Sequence, residues 1–174
     1  VMAGCLQLLE WLSRWPEAAW QQHAPPAWTV LVALAGTAWL LLPRGFPSRW
    51  IGAMAFLPLF LVVPAPPPAG ALRLTVLDVG QGLAVVAQTH NHALLFDTGP
   101  AFGPGADSGS RVIVPFLRAT GIRRLDTMVV SHDDADHTGG ALSVLQALPV
   151  DLLLTSLPDF DPLLLLGPEE RRCM

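Results

Sequence analysis

The sequence contains no lysine and no tyrosine, and only 14% of its residues are charged. Its ten basic residues are all arginine, which by itself points to no function. Two cysteines, Cys5 and Cys173, stand at opposite ends with no Cys-x-x-Cys pair. This leaves no disulfide framework and no cysteine metal knot, so cysteine says little about compartment. No charged start followed by an apolar core and cleavage site marks a signal peptide, and no internal repeat is evident. Basic excess is missing too: the net charge is −4. An acidic domain does not attract nucleic acid through its own field, so such a substrate requires bound cations or a local arginine patch.

Apolar residues fill the space that charge leaves. They make up 52% of the chain, with a mean hydropathy of +0.47, and they are concentrated at the front. Within residues 1–22, Leu8, Leu9, Trp11, Leu12 and Trp15 fall at helical spacing, the pattern of an amphipathic helix at a membrane surface. "WTVLVALAGTAWLLLP" and "WIGAMAFLPLFLVVP" are uncharged runs. Each is somewhat short of the roughly 20 residues that span a hydrocarbon core. They predict a two-helix membrane hairpin over 27–64, each run opening on a tryptophan, Trp28 or Trp50, and closing on a proline. Arg44 and Arg49 in the connecting turn place that turn on the cytoplasmic side, and everything after residue 64 across the membrane. "PAPPPAG" is a stiff linker over 64–71 and the domain boundary.

From residue 72 the periodicity changes. "LRLTVLDVG", "LAVVAQ" and "HALLFDTG" read as strands at hairpin spacing, the first alternating Leu72, Leu74 and Val76 against Arg73, Thr75 and Leu77. A glycine-rich loop then leads into a helix over "RVIVPFLRATG", where Pro115 marks a first turn or a kink. "LDTMVVSH" and "VDLLLTSL" are further strands, separated by a helix ending at Pro149. Strands in sequence followed by strand–helix alternation predict a layered α/β domain over 72–174.

The chemistry is concentrated in "SHDDADHTGG", where three aspartates and two histidines lie within His132–His137. His132 and Asp134 can reach one point, and Asp136 and His137 a second. Unpaired carboxylates so close together repel, and burying them is costly unless cations neutralise them. One or two divalent ions resolve this and leave open positions for water. A calcium loop fails, because its twelfth position is Leu145 rather than glutamate. A solvated acidic loop, or a cap through Asp136 or Thr138, remains as the bland alternative.

Ser-His-x-x-x-Asp-His-x-Gly-Gly after an apolar strand resembles the metal motif of the metallo-β-lactamase fold, His-x-His-x-Asp-His. The match falls on His132, Asp136 and His137 and departs at Asp134. With "LDVGQG" and "LLFDTGP", the chain is similar to one branch, the ComEC family, the DNA-internalisation channel of natural competence, where aspartate at this position is usual. The resemblance implies a partial metallo-β-lactamase-like domain, half of an αββα sandwich, preceded by membrane helices. It implies that His132 and Asp134 ligate one metal, and Asp136 and His137 a second, with Asp136 also catalytic. Asp97 takes an orienting role behind the ligands or caps a turn. Asp78 lines the site or is a turn carboxylate. Some members carry aspartate where this chain has Leu83. His90 and His92 read as exposed, and His23, beside prolines, is uninformative.

The oxygen-rich donor set shifts preference from zinc towards manganese or magnesium. The expected protein is a piece of a bacterial inner-membrane DNA-uptake channel for natural transformation, with an extracytoplasmic, periplasm-facing nuclease-like domain. Single-stranded DNA, membrane lipid and other competence proteins are its partners. A membrane-tethered metallo-hydrolase of a thioester, lactam or nucleotide is the alternative, as is a domain that guides DNA without cutting it. No histidine follows His137, and Asp151, Asp159, Asp161, Glu169 and Glu170 lie at no matching motif. The chain is therefore expected to be a fragment that binds metal weakly and has little or no activity alone.

Overall fold

The computed structural model describes residues 2–13, 22–43, 45–46, 48–103, 105–156 and 170–172. Trp15, Arg44, Cys173, Asp159, Asp161 and Glu169 lie outside them.

Helix α1 (Met2–Ser13) begins the chain, and Leu6, Leu8, Leu9 and Trp11 on it are all exposed. Helix α2 (Ala27–Leu40) starts directly after Pro26, whose carbonyl accepts the Thr29 hydroxyl at 2.7 Å. At its far end the Arg49 guanidinium folds back on the Leu40 carbonyl, occupying an acceptor that the helix leaves open. The second apolar run departs from the expected single helix. It forms α3 (Ile51–Met54) and α4 (Leu57–Leu61) instead. Pro58 sits in the first turn of α4, where its missing N–H costs nothing, but it bars a continuous helix from α3. The two arms do form a hairpin, and glycine makes it close: a Cβ on Gly52 would lie 2.6 Å from the Gly36 carbonyl. At about 1.5 Å per residue, α2 is about 21 Å long, against a hydrocarbon core of about 30 Å. Among the described residues no helix is long and apolar enough to cross a membrane.

The remainder is a mixed α/β domain. Strands β1 (Arg73–Val76), β2 (Val85–Gln88) and β3 (Ala93–Phe96) form an antiparallel meander. A small hairpin of β4 (Ala101–Gly103) and β5 (Ala106–Asp107) follows. A π-helical turn (Gly109–Ile113) then runs into α5 (Val114–Ala119), with Pro115 in its first turn. Strand β6 (Leu125–Val130) joins β3 in parallel. Helices α6 (Ala135–Thr138) and α7 (Ala141–Ala147) cross over to β7 (Val150–Thr155), and β8 (Glu170–Arg172), which the sequence pattern did not indicate, adds a parallel edge. The order is β1-β2-β3-β6-β7-β8.

Period-2 alternation decides which side chains form the core. Val86, Leu95, Met128, Val130 and Leu153 point to one face and join Ile113, Leu117 and Val144 of the helical layer in a single buried cluster. Leu74 and Val76 point to the other face and are exposed. The apolar stripe of β1 is therefore not a core stripe. Thr75 pairs with Val86, which faces the helices, so parity sends its neighbours to the opposite side.

The proline linker lies on the domain rather than hanging free. The His90 ring pairs with the Pro67 carbonyl at 3.0 Å, and Ala24 N–H donates to the Ala119 carbonyl at 2.8 Å.

Candidate metal centre

The centre lies where β3 and β6 end side by side, at the carboxyl edge of the parallel strands, where sites form in open α/β sheets. Asp97 follows β3 directly and adopts φ +57, a left-handed conformation uncommon for a residue with a side chain. Its N–H still donates to the Val129 carbonyl at 2.8 Å, so the turn aims the carboxylate across to the end of β6. There Asp97 is fully buried and accepts three hydrogen bonds. One oxygen takes the Ser131 N–H at 2.7 Å; the other takes the Ser131 hydroxyl and His137 Nδ1, both at 2.8 Å. Thr98 grips the same residue from behind, its N–H and its hydroxyl each donating to the His137 carbonyl at 2.8 Å.

With Asp97 ionised its oxygens only accept, so His137 donates from Nδ1 and turns Nε2 to the site. The Ser131 hydroxyl spends its proton on Asp97, so it accepts from His132 Nδ1 at 2.8 Å, which leaves His132 Nε2 as an acceptor as well. Yet His132 Nε2 lies 3.1 Å from Asp134 Oδ2, and His137 Nε2 lies 3.7 Å from Asp136 Oδ2. Two acceptors face each other in each pair, and the two rings are tilted by 43° with centroids 4.0 Å apart. Such pairs need a proton or a cation between them. The donor chemistry therefore fits a divalent metal. The convergence is less complete: among the described residues no three His, Cys, Asp or Glu side chains meet at one point that could hold an ion.

The backbone closes around the cluster. Asp134 is the N-cap residue of α6, but its side chain makes no capping hydrogen bond and stays with His132. Gly82 has φ +139, and a Cβ there would strike the Asp136 carbonyl, to which Leu83 N–H donates at 3.3 Å. That is why "DVGQG" needs its second glycine. Gly139 likewise admits the Pro100–Ala101 backbone. Asp78 is exposed and accepts from the Gly80 N–H at 3.2 Å, the geometry of a turn carboxylate. His92 pairs with Asp126 at 3.0 Å, and both His90 and His92 lie on the exposed β2–β3 turn. Sequence reasoning missed Ser131 and Thr98. A hydroxyl residue directly before the motif histidine and another directly after Asp97 were the available signals.

The family profile of the metallo-beta-lactamase superfamily matches residues 77–163, half of the chain. The chain belongs to that superfamily. Its metallo-beta-lactamase segment contains Asp78, Asp97 and all four candidate ligands, and the superfamily in general binds divalent metal. Within it the chain is ComEC-like. It is 40% identical over 140 residues to "Competence protein ComA" of Neisseria gonorrhoeae, covering 80% of this chain and 19% of the relative. It is 34% identical over 152 residues to "Uncharacterized protein YcaI" of Escherichia coli K12, covering 83% and 19%. It is 40% identical over 83 residues to "Recombination protein 2" of Haemophilus influenzae, covering 48% and 10%. The chain thus spans about a fifth or less of the length of these relatives.

Proposed function

We propose that His132, Asp134, Asp136 and His137 hold one or two divalent cations, manganese or zinc ahead of magnesium. The domain around them serves DNA uptake in natural transformation as a metal-dependent, nuclease-like hydrolase. The observation that carries the reading is the pair of Nε2–carboxylate contacts, acceptor against acceptor, which only a proton or a cation relieves. A bound cation supplies charge stabilisation at a phosphate and a more acidic water. The chain's own residues do the rest. Asp97 and Ser131 hold the two Nδ1 protons and so keep both Nε2 atoms turned to the site. Asp136, partly exposed beside His137, is a ligand and the carboxylate placed to accept a proton from incoming water.

The exposed apolar side chains of α1, α2 and α4 support a membrane seat. Residues 1–22 lie at the interface, 27–64 enter the bilayer as a hairpin, and 64–71 link it to the domain of 72–174 on the extracytoplasmic side of a bacterial inner membrane. Similarity to a gonococcal competence protein and a Haemophilus recombination protein supports a place in DNA uptake. The channel itself, with single-stranded DNA and other competence proteins as partners, belongs to the longer protein of which this chain resembles a part.

Manganese-dependent, chelator-sensitive cleavage of single-stranded DNA by the full domain is the expected result. Absence of cleavage with metal bound would favour a domain that guides DNA without cutting it.

A further inference from the structure

The metal centre leaves His23 out of account, and His23 is buried, with only 7% of its surface exposed. The chain around it threads between the hairpin and the domain. The Gln22 side-chain amide donates to the Leu59 carbonyl of α4 at 2.8 Å, and Ala24 N–H donates to the last carbonyl of α5 at 2.8 Å. His23 is thereby held in place, yet its buried Nε2 has no hydrogen-bond partner among the described residues. Buried polar atoms rarely go unpaired, so this one points to a missing partner.

His23 lines a cavity of about 420 Å³. Its other walls include Gln22, Phe60, Arg118 and Arg123, and no described lining residue is acidic. Arg118 is braced by the Ala147 carbonyl at 3.4 Å, while Arg123 is exposed just ahead of β6. The cavity thus sits at the amino edge of the parallel strands, the opposite end of the sheet from the metal centre. In a domain of acidic balance it is a local concentration of guanidinium groups.

We propose that this cavity binds the phosphate of an anionic phospholipid headgroup. The exposed Arg123 guanidinium offers paired donors to phosphate oxygens, the Arg118 guanidinium adds positive charge to the same wall, and His23, with its proton on Nε2, supplies a further donor. Phe60 identifies the source. It belongs to α4, whose Leu57 and Leu61 are exposed, so apolar surface continues from the cavity wall along the hairpin. A molecule with a phosphate head and an apolar body matches that sequence of walls. The lipid assignment rests on the membrane seat proposed for residues 27–64.

The test uses the 174-residue chain with two probes: inorganic phosphate, and vesicles of phosphatidylglycerol or phosphatidylcholine. Phosphate is expected to shift the His23 ring nitrogen resonance saturably, and Arg123→Gln to abolish that response. Arg123→Gln should also weaken binding to phosphatidylglycerol vesicles about fivefold. Arg73→Gln, on exposed β1, should leave both unchanged. Vesicle binding that Arg123→Gln and Arg73→Gln affect alike overturns the cavity proposal while the membrane seat stands. A phosphate response with no binding to either vesicle overturns the membrane seat and the lipid source together. A His23 shift produced by single-stranded DNA but not by phosphatidylglycerol overturns the lipid assignment.

Discussion

Asp97 organises both histidines from one buried position, directly through His137 and through the Ser131 hydroxyl for His132. Replacing it with asparagine keeps the size but removes one acceptor oxygen. Asp97→Asn is therefore expected to lower divalent-metal affinity roughly 10- to 100-fold, the usual cost of losing such a supporting carboxylate. Calorimetric titration checks this, and Ser131→Ala should loosen only the His132 branch. The candidate ligands were legible from their spacing alone, as was the presence of Asp97 at the end of an apolar strand. Its left-handed backbone and the serine relay were not. Both depend on β3 and β6 ending in register, which is a property of the sheet and not of either segment.

At the scale of elements, alternation and breakers announced most strands and helices, and tertiary context decided the rest. Proline split one apolar run into α3 and α4, and pairing with β2 turned the apolar side of β1 away from the helices. The junction of the β2–β3 turn with β6 offers a pH test. Burial pushes the Asp126 carboxyl up, but the Ala93 N–H and His92 ring bonds and the nearby His92 and Arg124 charges more than offset this. The result is a pKa below the ordinary value of 3.8. A carboxyl lowered on folding stabilises the fold fully above its unfolded pKa and loses that contribution as pH falls through the folded one. Asp126→Asn should cost about 1 kcal/mol near neutrality. In urea unfolding across pH 6 to 2, the gap between wild type and variant should close only below about pH 4. A gap constant across that range would contradict the assignment.

On the scale of the whole molecule, the two ends of one sheet are given different work. The carboxyl edge holds the acidic cluster, and the amino edge receives the linker, the hairpin and the arginine cavity. Hydropathy made this division visible in outline, since charge is scarce before residue 70 and periodicity changes at residue 72. What it did not reveal is that the linker is fastened to the domain, because the His90–Pro67 contact joins residues 23 positions apart. At the carboxyl edge, the four donors beside Asp97 are expected to bind metal. Titrating manganese or zinc into the 174-residue chain, with Asp136→Ala and His137→Ala alongside, measures this. Saturable, chelator-reversible binding of one or two ions, weakened at least about tenfold in either variant, is the predicted result. Binding that is absent, or that survives both substitutions unchanged, would contradict it.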